Sequence, residues 1–450
     1  MALHPDRLLP PDPAVRDIAR RLYAAVRELP IISPHGHVDP RLLLDDLPFT
    51  DPAALFIQPD HYVTRLLHAG GVSLDALGVG AGSLSPSSSR AAWRLLCSHW
   101  HLLRGTPVRY WLSSSLESFF GITERPSADN ADALYDQIAG QALRPRAALA
   151  GFGLSFLATT DDPASDLSVH DALQSVVRVA PTFRPDRYFL IDQPGWPALV
   201  AGLGDYESFV SWLSERRRYF IAHGAVSADH GHYDAVAVPL SLSEATRIYR
   251  AALTGDVSPS EAVAFRRHMI FESARMSCDD GLVMTLHPGV YRNHHPASLA
   301  RYGPDTGHDI PVAAEFTRAL RPLLSRFGTH PGFHLLLFTV DPTVYAREIA
   351  PLAGFYPSVY AGAPWWFLDN PSEIRNFQRA VTETAGFSRL SGFIDDTRAF
   401  LSIPARHDMS RRLDAGHLAE LVAEHRLDED EAHDTLRALV VDQPRAVFKL

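Results

Sequence analysis

Short apolar runs that end in polar residues alternate along this chain with longer stretches whose apolar residues recur every three or four positions. The first helical stretch, Asp12 to Leu29, puts Val15, Ile18, Ala19, Leu22 and Val26 on one face, the spacing of an amphipathic helix. Ile31-Ile32 follows and runs into Ser33-Pro34-His35-Gly36-His37, which reads as a buried strand with two histidines at its C-terminal end. The same layout recurs at 153–162, 176–184, 219–229, 281–287, 334–341, 358–366 and 391–396, making eight such runs in all. Between most neighbours lies helical periodicity, as in Tyr206 to Arg217, Ser258 to Met276, Ala313 to Phe327 and Ser372 to Ala385. Eight apolar strands alternating with helices predict an α/β fold, a (β/α)8 TIM-type barrel, with its chemistry at the C-terminal strand ends.

The first interval breaks the alternation. From Asp39 to Leu149 the pattern predicts only helices, at Asp60 to Ala69, Ser89 to Leu103, Pro107 to Phe120 and Ala131 to Ala142. The domain expectation is an N-terminal helix and first strand (1–38), a helical insertion overhanging the strand ends (39–149), and the rest of the barrel with C-terminal helices (150–450). The Gly-rich stretch 78–89 follows a helix rather than a strand, which argues for a loop and against a dinucleotide-binding turn.

Composition then removes whole classes of chemistry. Of 42 basic residues in 450, all but Lys449 are arginine. A lysine one position from the terminus cannot serve a buried site, so Schiff-base, P-loop and carboxylated-lysine chemistry are excluded. The net charge of −10 argues against nucleic acid and anionic membrane as partners, and a small anion would need a local arginine pocket. Two cysteines are too few for a disulfide framework. With no apolar run near 20 residues and no basic leader, the expected location is cytoplasmic. The sequence is compatible with a homo-oligomer.

Candidate chemistry concentrates at the strand ends. On a strand, positions i and i+2 face the same way, so His35 and His37 can share one divalent cation. Asp395-Asp396 ends the last run, which neighbours the first in a closed barrel, and a carboxylate there completes an open three-ligand set for zinc or another first-row metal. His99-Trp-His101 falls in a helical stretch, where i and i+2 diverge. His230-Gly-His232 sits beyond the fourth run, with a structural role favoured over ligation. His407, His417, His425 and His433 read as solvated or capping.

Several stretches taken together resemble the uronate isomerases, also called glucuronate isomerases, of the amidohydrolase superfamily. They are Asp60-His-Tyr62, Thr159-Thr-Asp-Asp-Pro163, Pro181-Thr-Phe-Arg-Pro-Asp186, Asp229-His-Gly231, Leu286-His287 with Arg292-Asn293, Gly303-Pro-Asp-Thr-Gly307, Trp365-Trp-Phe367 and Asp396-Thr-Arg-Ala-Phe-Leu401. They run in order over nearly the whole chain. Departures are Ser33, where the family commonly has aspartate, Gly36 for Cys or Thr, Asp341 for asparagine, and His294-His295 in place of a more polar stretch.

The resemblance implies an enzyme of glucuronate catabolism that interconverts D-glucuronate and D-fructuronate, and as a second pair D-galacturonate and D-tagaturonate, through an enediol. It implies one metal ion, zinc foremost, on His35, His37 and Asp396, with Asp396 also accepting the moving proton. His61 and Tyr62 would act as acid/base and hydrogen-bond partners; the competing reading is a helix start capped by Asp60, with Tyr62 packing. Arg184 and Arg398 would meet the substrate's negative charge, unless they only pair with carboxylates such as Asp162 or Asp229. Substrate contacts are expected from His287, Asp229 and Trp366, with Asp229 also able to orient His287. The alternative on the same barrel is a mononuclear metal-dependent hydrolase, a lactonase or deaminase.

Overall fold

The computed structural model describes residues 3–450. Its strands are β1 (Ile31–Ser33), β2 (Leu154–Ala158), β3 (Val179–Ala180), β4 (Ser227–His230), β5 (Val283–Leu286), β6 (Val290–Tyr291), β7 (Ile310–Pro311), β8 (Leu335–Leu337) and β9 (Val359–Ala361). β1, β2 and β3 pair in parallel in that order, and so do β4, β5, β8 and β9. Phe183 bridges the two sets, pairing with Asp161 on one side and Ala228 on the other. β6 and β7 form a separate antiparallel pair. The fold is therefore α/β with parallel sheets, and apolar strands such as Leu335–Leu337, buried throughout, are what two covered faces demand. β4 differs: Ser, Ala, Asp and His are all buried in it, and it is a strand built for a site rather than for packing.

Three expected elements shift. The run expected as a strand from Tyr219 belongs at first to the helix Tyr206–Ala222, because Phe220 still falls on its buried face and Gly224, at φ +91°, makes the turn into β4. The helix expected from Ala313 begins only at Arg321, since Pro322 has no N–H to donate and fits the first turn but not a helix interior. The last run, 391–396, forms no regular strand; Leu390 bridges Ala361 and the His37 N–H donates to the Thr397 carbonyl at 3.0 Å. Positive φ at Gly392 (+76°) and Asp396 (+40°) breaks the extended geometry there.

Residues 34–153 contain helices and no strand. Apolar packing joins them to β1 and to the long helix Ile403–Ala423 through Trp93, Trp111, Phe120 and Met409. That long helix is buried on nearly every side, which a helix carrying Arg406, Arg411 and Arg412 tolerates only with paired guanidinia. Arg411 donates to the carbonyls of Val26, Arg27 and Pro30, and Arg412 pairs with Asp408 at 2.9 Å. The arginine-rich composition thus has a structural side, since planar forks can be buried where ammonium groups cannot. Lys449 donates to the Gly281 and Gly332 carbonyls, each at 2.7 Å, and ties down the C-terminus. No helix among the described residues is long and apolar enough to cross a membrane.

Candidate active site

The C-terminal ends of the parallel strands open on a cavity of about 580 Å³, within the range of small-molecule sites. Every side chain expected from the sequence to have a catalytic, substrate-binding or metal role lines it. His35, His37, Asp396, Asp229 and His287 form its floor, and Arg184, Arg398, His61, Tyr62 and Trp366 lie around them.

At the floor, Asp396 Oδ1 lies 3.0 Å from His37 Nε2 and 3.4 Å from His35 Nε2. The two imidazoles meet edge to face, at 82°, so their nitrogens converge on one point. Burial alone would raise the Asp396 carboxyl; the His35 and His37 imidazoles beside it outweigh that and hold it well below the usual carboxylate range. Asp396 stands in the left-handed region at φ +40°, a strained backbone of the kind that structures keep where a side chain must be aimed. Two imidazoles and one carboxylate whose ligand atoms all lie within 4.8 Å of one another fit a divalent first-row cation. Ser33, two residues before His35, is buried with its hydroxyl unpartnered.

Beside this cluster, Asp229 is fully buried at the end of β4. It accepts from Thr285 Oγ1 and His287 Nδ1, both at 2.7 Å, and pairs with Arg184 Nη1 at 3.1 Å. Burial pushes its carboxyl up, but His287 and Arg184 bring it well below the ordinary value. Because Asp229 accepts at Nδ1, the His287 tautomer leaves Nε2 as a bare acceptor, and that nitrogen is buried without a partner. The ring is clamped between Phe338 (4.1 Å) and His35 (4.8 Å), with Trp365 edge-on at 4.6 Å. Arg184 pairs with Asp229 and with Asp186, not with Asp162, which takes Arg187 instead.

The helix His61–Ala69 supplies the roof. Asp60 caps it by accepting from the Tyr62 N–H at 2.9 Å, so capping and site-lining coincide. Burial, reinforced by Arg398, pushes the His61 imidazolium down to about 3, and its Nε2 is buried without a partner. Tyr62 stacks on His61 at 5.1 Å and donates its hydroxyl to Asp369 at 2.8 Å. Trp366, at φ +52°, meets His61 edge-on and carries the Arg292 guanidinium 4.8 Å above its ring. Both Trp365 and Trp366 line the cavity, so neither is purely core. Arg398 pairs with Asp305 at 3.0 Å and remains 36% exposed.

Several site residues were not foreseen. Asp369 and Arg406 pair at 2.7 Å beneath Tyr62, and burial lifts the Asp369 carboxyl to about 6 even against Arg406. His407, expected to be solvated, is buried and bonds Asp395 at 3.0 Å; His417 is buried as well. In both cases the helix carrying them is enclosed on all sides, which no apolar stripe announces. Asp305, Asp309 and Arg292 form a rim on loops. Asp186 lay inside a quoted stretch, but only the fold brings it to Arg184. His99 and His101 lie outside the cavity, as expected.

Fold and site together define an α/β enzyme whose strand ends gather a candidate metal cluster with arginines suited to an anionic ligand. The sequence profile described as glucuronate isomerase matches residues 14–444. A uronate isomerase from Cutibacterium acnes is 50% identical over 100% of this chain and 99% of its own length. The crystal structure of glucuronate isomerase from Caulobacter crescentus is 44% identical and superposes with a TM-score of 0.96, covering 100% of this chain and 97% of that one. A uronate isomerase structure from Thermotoga maritima, 27% identical, gives a TM-score of 0.93 with both chains fully covered. The chain belongs to the glucuronate isomerase family, a family of isomerases.

Proposed function

We propose that this protein is an aldose–ketose isomerase that interconverts D-glucuronate with D-fructuronate, and D-galacturonate with D-tagaturonate. The observation that carries the reading is one cavity that sets the His35–His37–Asp396 cluster opposite Arg184 and Arg398. The reaction opens the sugar, removes the C2 proton, passes through an enediol and returns a proton at C1.

His35, His37 and Asp396 would hold one divalent ion, zinc foremost, since two nitrogens and one oxygen with room for further ligands suit it. Bound there, the ion supplies Lewis-acid polarisation of a sugar oxygen. Asp396 turns Oδ1 toward both imidazoles, which leaves its other oxygen to accept the C2 proton and deliver it to C1. Arg184 and Arg398 bind the substrate's carboxylate and enediolate oxygens, drawing on guanidinia that Asp229, Asp186 and Asp305 already orient. Neutral His61 can donate or accept one hydrogen bond at a sugar hydroxyl, and Tyr62, engaged with Asp369, holds it in place by stacking. His287 Nε2, steered by Asp229, accepts from a hydroxyl, and Trp366 walls the cavity and excludes water.

This reading includes a closed (β/α)8 barrel whose last wall is the irregular segment 390–397, supported by the Ala361–Leu390 bridge and the His37–Thr397 hydrogen bond. It also treats 39–149 as a subdomain that carries His61 over the strand ends. The unpaired Cys97 and Cys278 suit a reducing cytoplasm. A hydrolase reading finds no lysine for a bridged metal pair and no histidine at the C-terminal end of β8, where Phe338-Thr-Val-Asp341 stands.

The test is chromatographic separation of D-glucuronate and D-fructuronate after incubation with purified protein. Wild type should bring either sugar to the same mixture, and His35→Ala with metal chelated should not. Activity surviving both changes would overturn the role given to the cluster.

A further inference from the structure

A second His-x-His pair meets a carboxylate on the far side of the β4 wall. Asp229 turns into the cavity, so His230, the next residue along the strand, points the opposite way, toward the covering helices. His232 joins it there, and the short helix Asp186–Phe189 brings up Asp186. Ligand atoms of these three residues all lie within 4.8 Å of one another. Asp186 Oδ1 and His232 Nε2 are 3.4 Å apart, about the edge length of a tetrahedron whose metal–ligand bonds are roughly 2.1 Å. The same spacing separates His35 from Asp396 in the first cluster.

The second observation is what these atoms lack. His230 is 0% and His232 5% exposed. Both ring nitrogens of His230, Nε2 of His232 and Oδ1 of Asp186 have no hydrogen-bond partner. Each such orphan costs about 1–3 kcal/mol when buried, and one nitrogen from each ring with one Asp186 oxygen gives three donors close enough to share one cation. Asp186 is already steered from behind, since its other oxygen accepts from Arg184 Nε at 3.0 Å and from the Gly231 N–H at 2.9 Å. Outer bonds of that kind orient ligands in metal sites. Phe189 lies nearly parallel to both rings, 6.2 and 6.0 Å away, and closes the apolar side. Nearby cations do not oppose an ion: Arg184 is matched by Asp186 and Asp229, Arg217 by Asp280 at 2.6 Å, and Arg266 faces Asp234 at 3.9 Å.

We propose that Asp186, His230 and His232 hold a divalent first-row cation in a structural site behind β4, distinct from the His35–His37–Asp396 cluster and independent of it. The ion cross-links the segment after β3 to the end of β4. It is reached from the cavity, where Asp186 and Gly231 are both exposed to the lumen.

The test strips the full-length protein with chelator, reloads it with zinc, removes excess by gel filtration and counts zinc per chain by mass spectrometry. Wild type should retain two equivalents, His37→Asn one, His232→Asn one, and the double variant none. Asp186→Asn, which keeps the side-chain shape, stands in if His232→Asn does not fold. Crystals of the loaded wild type should show an anomalous peak at the zinc edge among the three residues. Zinc should also raise the Tm of His37→Asn by about 5 °C, a readout that needs no activity. If the wild type holds only one equivalent and His37→Asn keeps it, this site stands and the metal role proposed for the first cluster falls. One equivalent that His37→Asn abolishes, with water alone between Asp186 and His232, would overturn the proposal.

Discussion

The two His-x-His pairs of this chain begin from the same local geometry and end in different environments. His35 and His37 follow β1 and meet Asp396 at the cavity floor, where the His37 side chain keeps 23% of its surface open. His230 and His232 close β4 and meet Asp186 in the covering layer, where the His232 side chain keeps 2%. An open position suits a site that takes substrate, and a closed one suits a structural ion. Strand periodicity explains why either pair converges; which face the strand turns to the lumen decides what each pair can do. Arg184 stands between them, bonded to Asp186 on one side and Asp229 on the other.

The contrast is broken most sharply at the carboxylates. Asp396→Asn should lower kcat by about 10²–10⁴-fold, the range for losing a positioned proton acceptor, while Asp186→Asn, which reaches the substrate only through Arg184, should cost less than about 10-fold. Steady-state kinetics on D-glucuronate decides this, and equal losses would erase the distinction between the sites. Next come the arginines. Arg184→Met removes the cation shared by buried Asp229 and half-buried Asp186, so it should destabilise by about 3 kcal/mol and raise KM by about 100-fold. Arg398→Met removes a half-exposed pair and should raise KM about 10-fold with Tm unchanged within about 2 °C. Paired thermal and kinetic measurements separate the two.

Gly231 probes the hinge between the pairs. A Cβ there would run into the Arg184 guanidinium and lie 3.2 Å from Asp186 Oδ2, so Gly231→Ala should cost about 1–3 kcal/mol of stability and raise KM through Arg184. The smallest effect concerns His61, a half-buried histidine with no carboxylate bonded to it. Its folded value of about 3 lies below the unfolded value near 6.5, so its contribution to stability is present above pH 6.5 and is lost as pH falls toward 3. His61→Gln should therefore lose less Tm between pH 7 and pH 5 than wild type, by about 2 °C. It should also lower kcat without moving the pH profile between 5 and 9.

Part of the cavity was legible because its chemistry is local, a His-x-His and an aspartate at the ends of short apolar runs with arginines beside them, while His61, Tyr62 and His287 were placed by the family resemblance. The parallel α/β order was legible because β8 is apolar throughout and β2 and β5 are interrupted only by Ser155 and Thr285. What escaped depends on enclosure. Nothing in Arg406 or His407 distinguishes them from surface residues until the helix Ile403–Ala423 is wrapped on every side. Asp186 and His230 carry no joint signal, since 44 positions separate them and only the folded chain, through the Phe183 bridge and the Gly231–Asp186 hydrogen bond, brings their segments together. Strand ends at Tyr219 and Ser391 were misread because a helix with a buried aromatic face, or a chain turning at positive φ, shows the same short apolar run.

The most direct test of the central claim is one-dimensional proton NMR of D-glucuronate with the metal-loaded protein in D2O. The account predicts D-fructuronate signals together with loss of the C2 proton signal as the abstracted proton exchanges with solvent. Spectra unchanged for every hexuronate offered would contradict it.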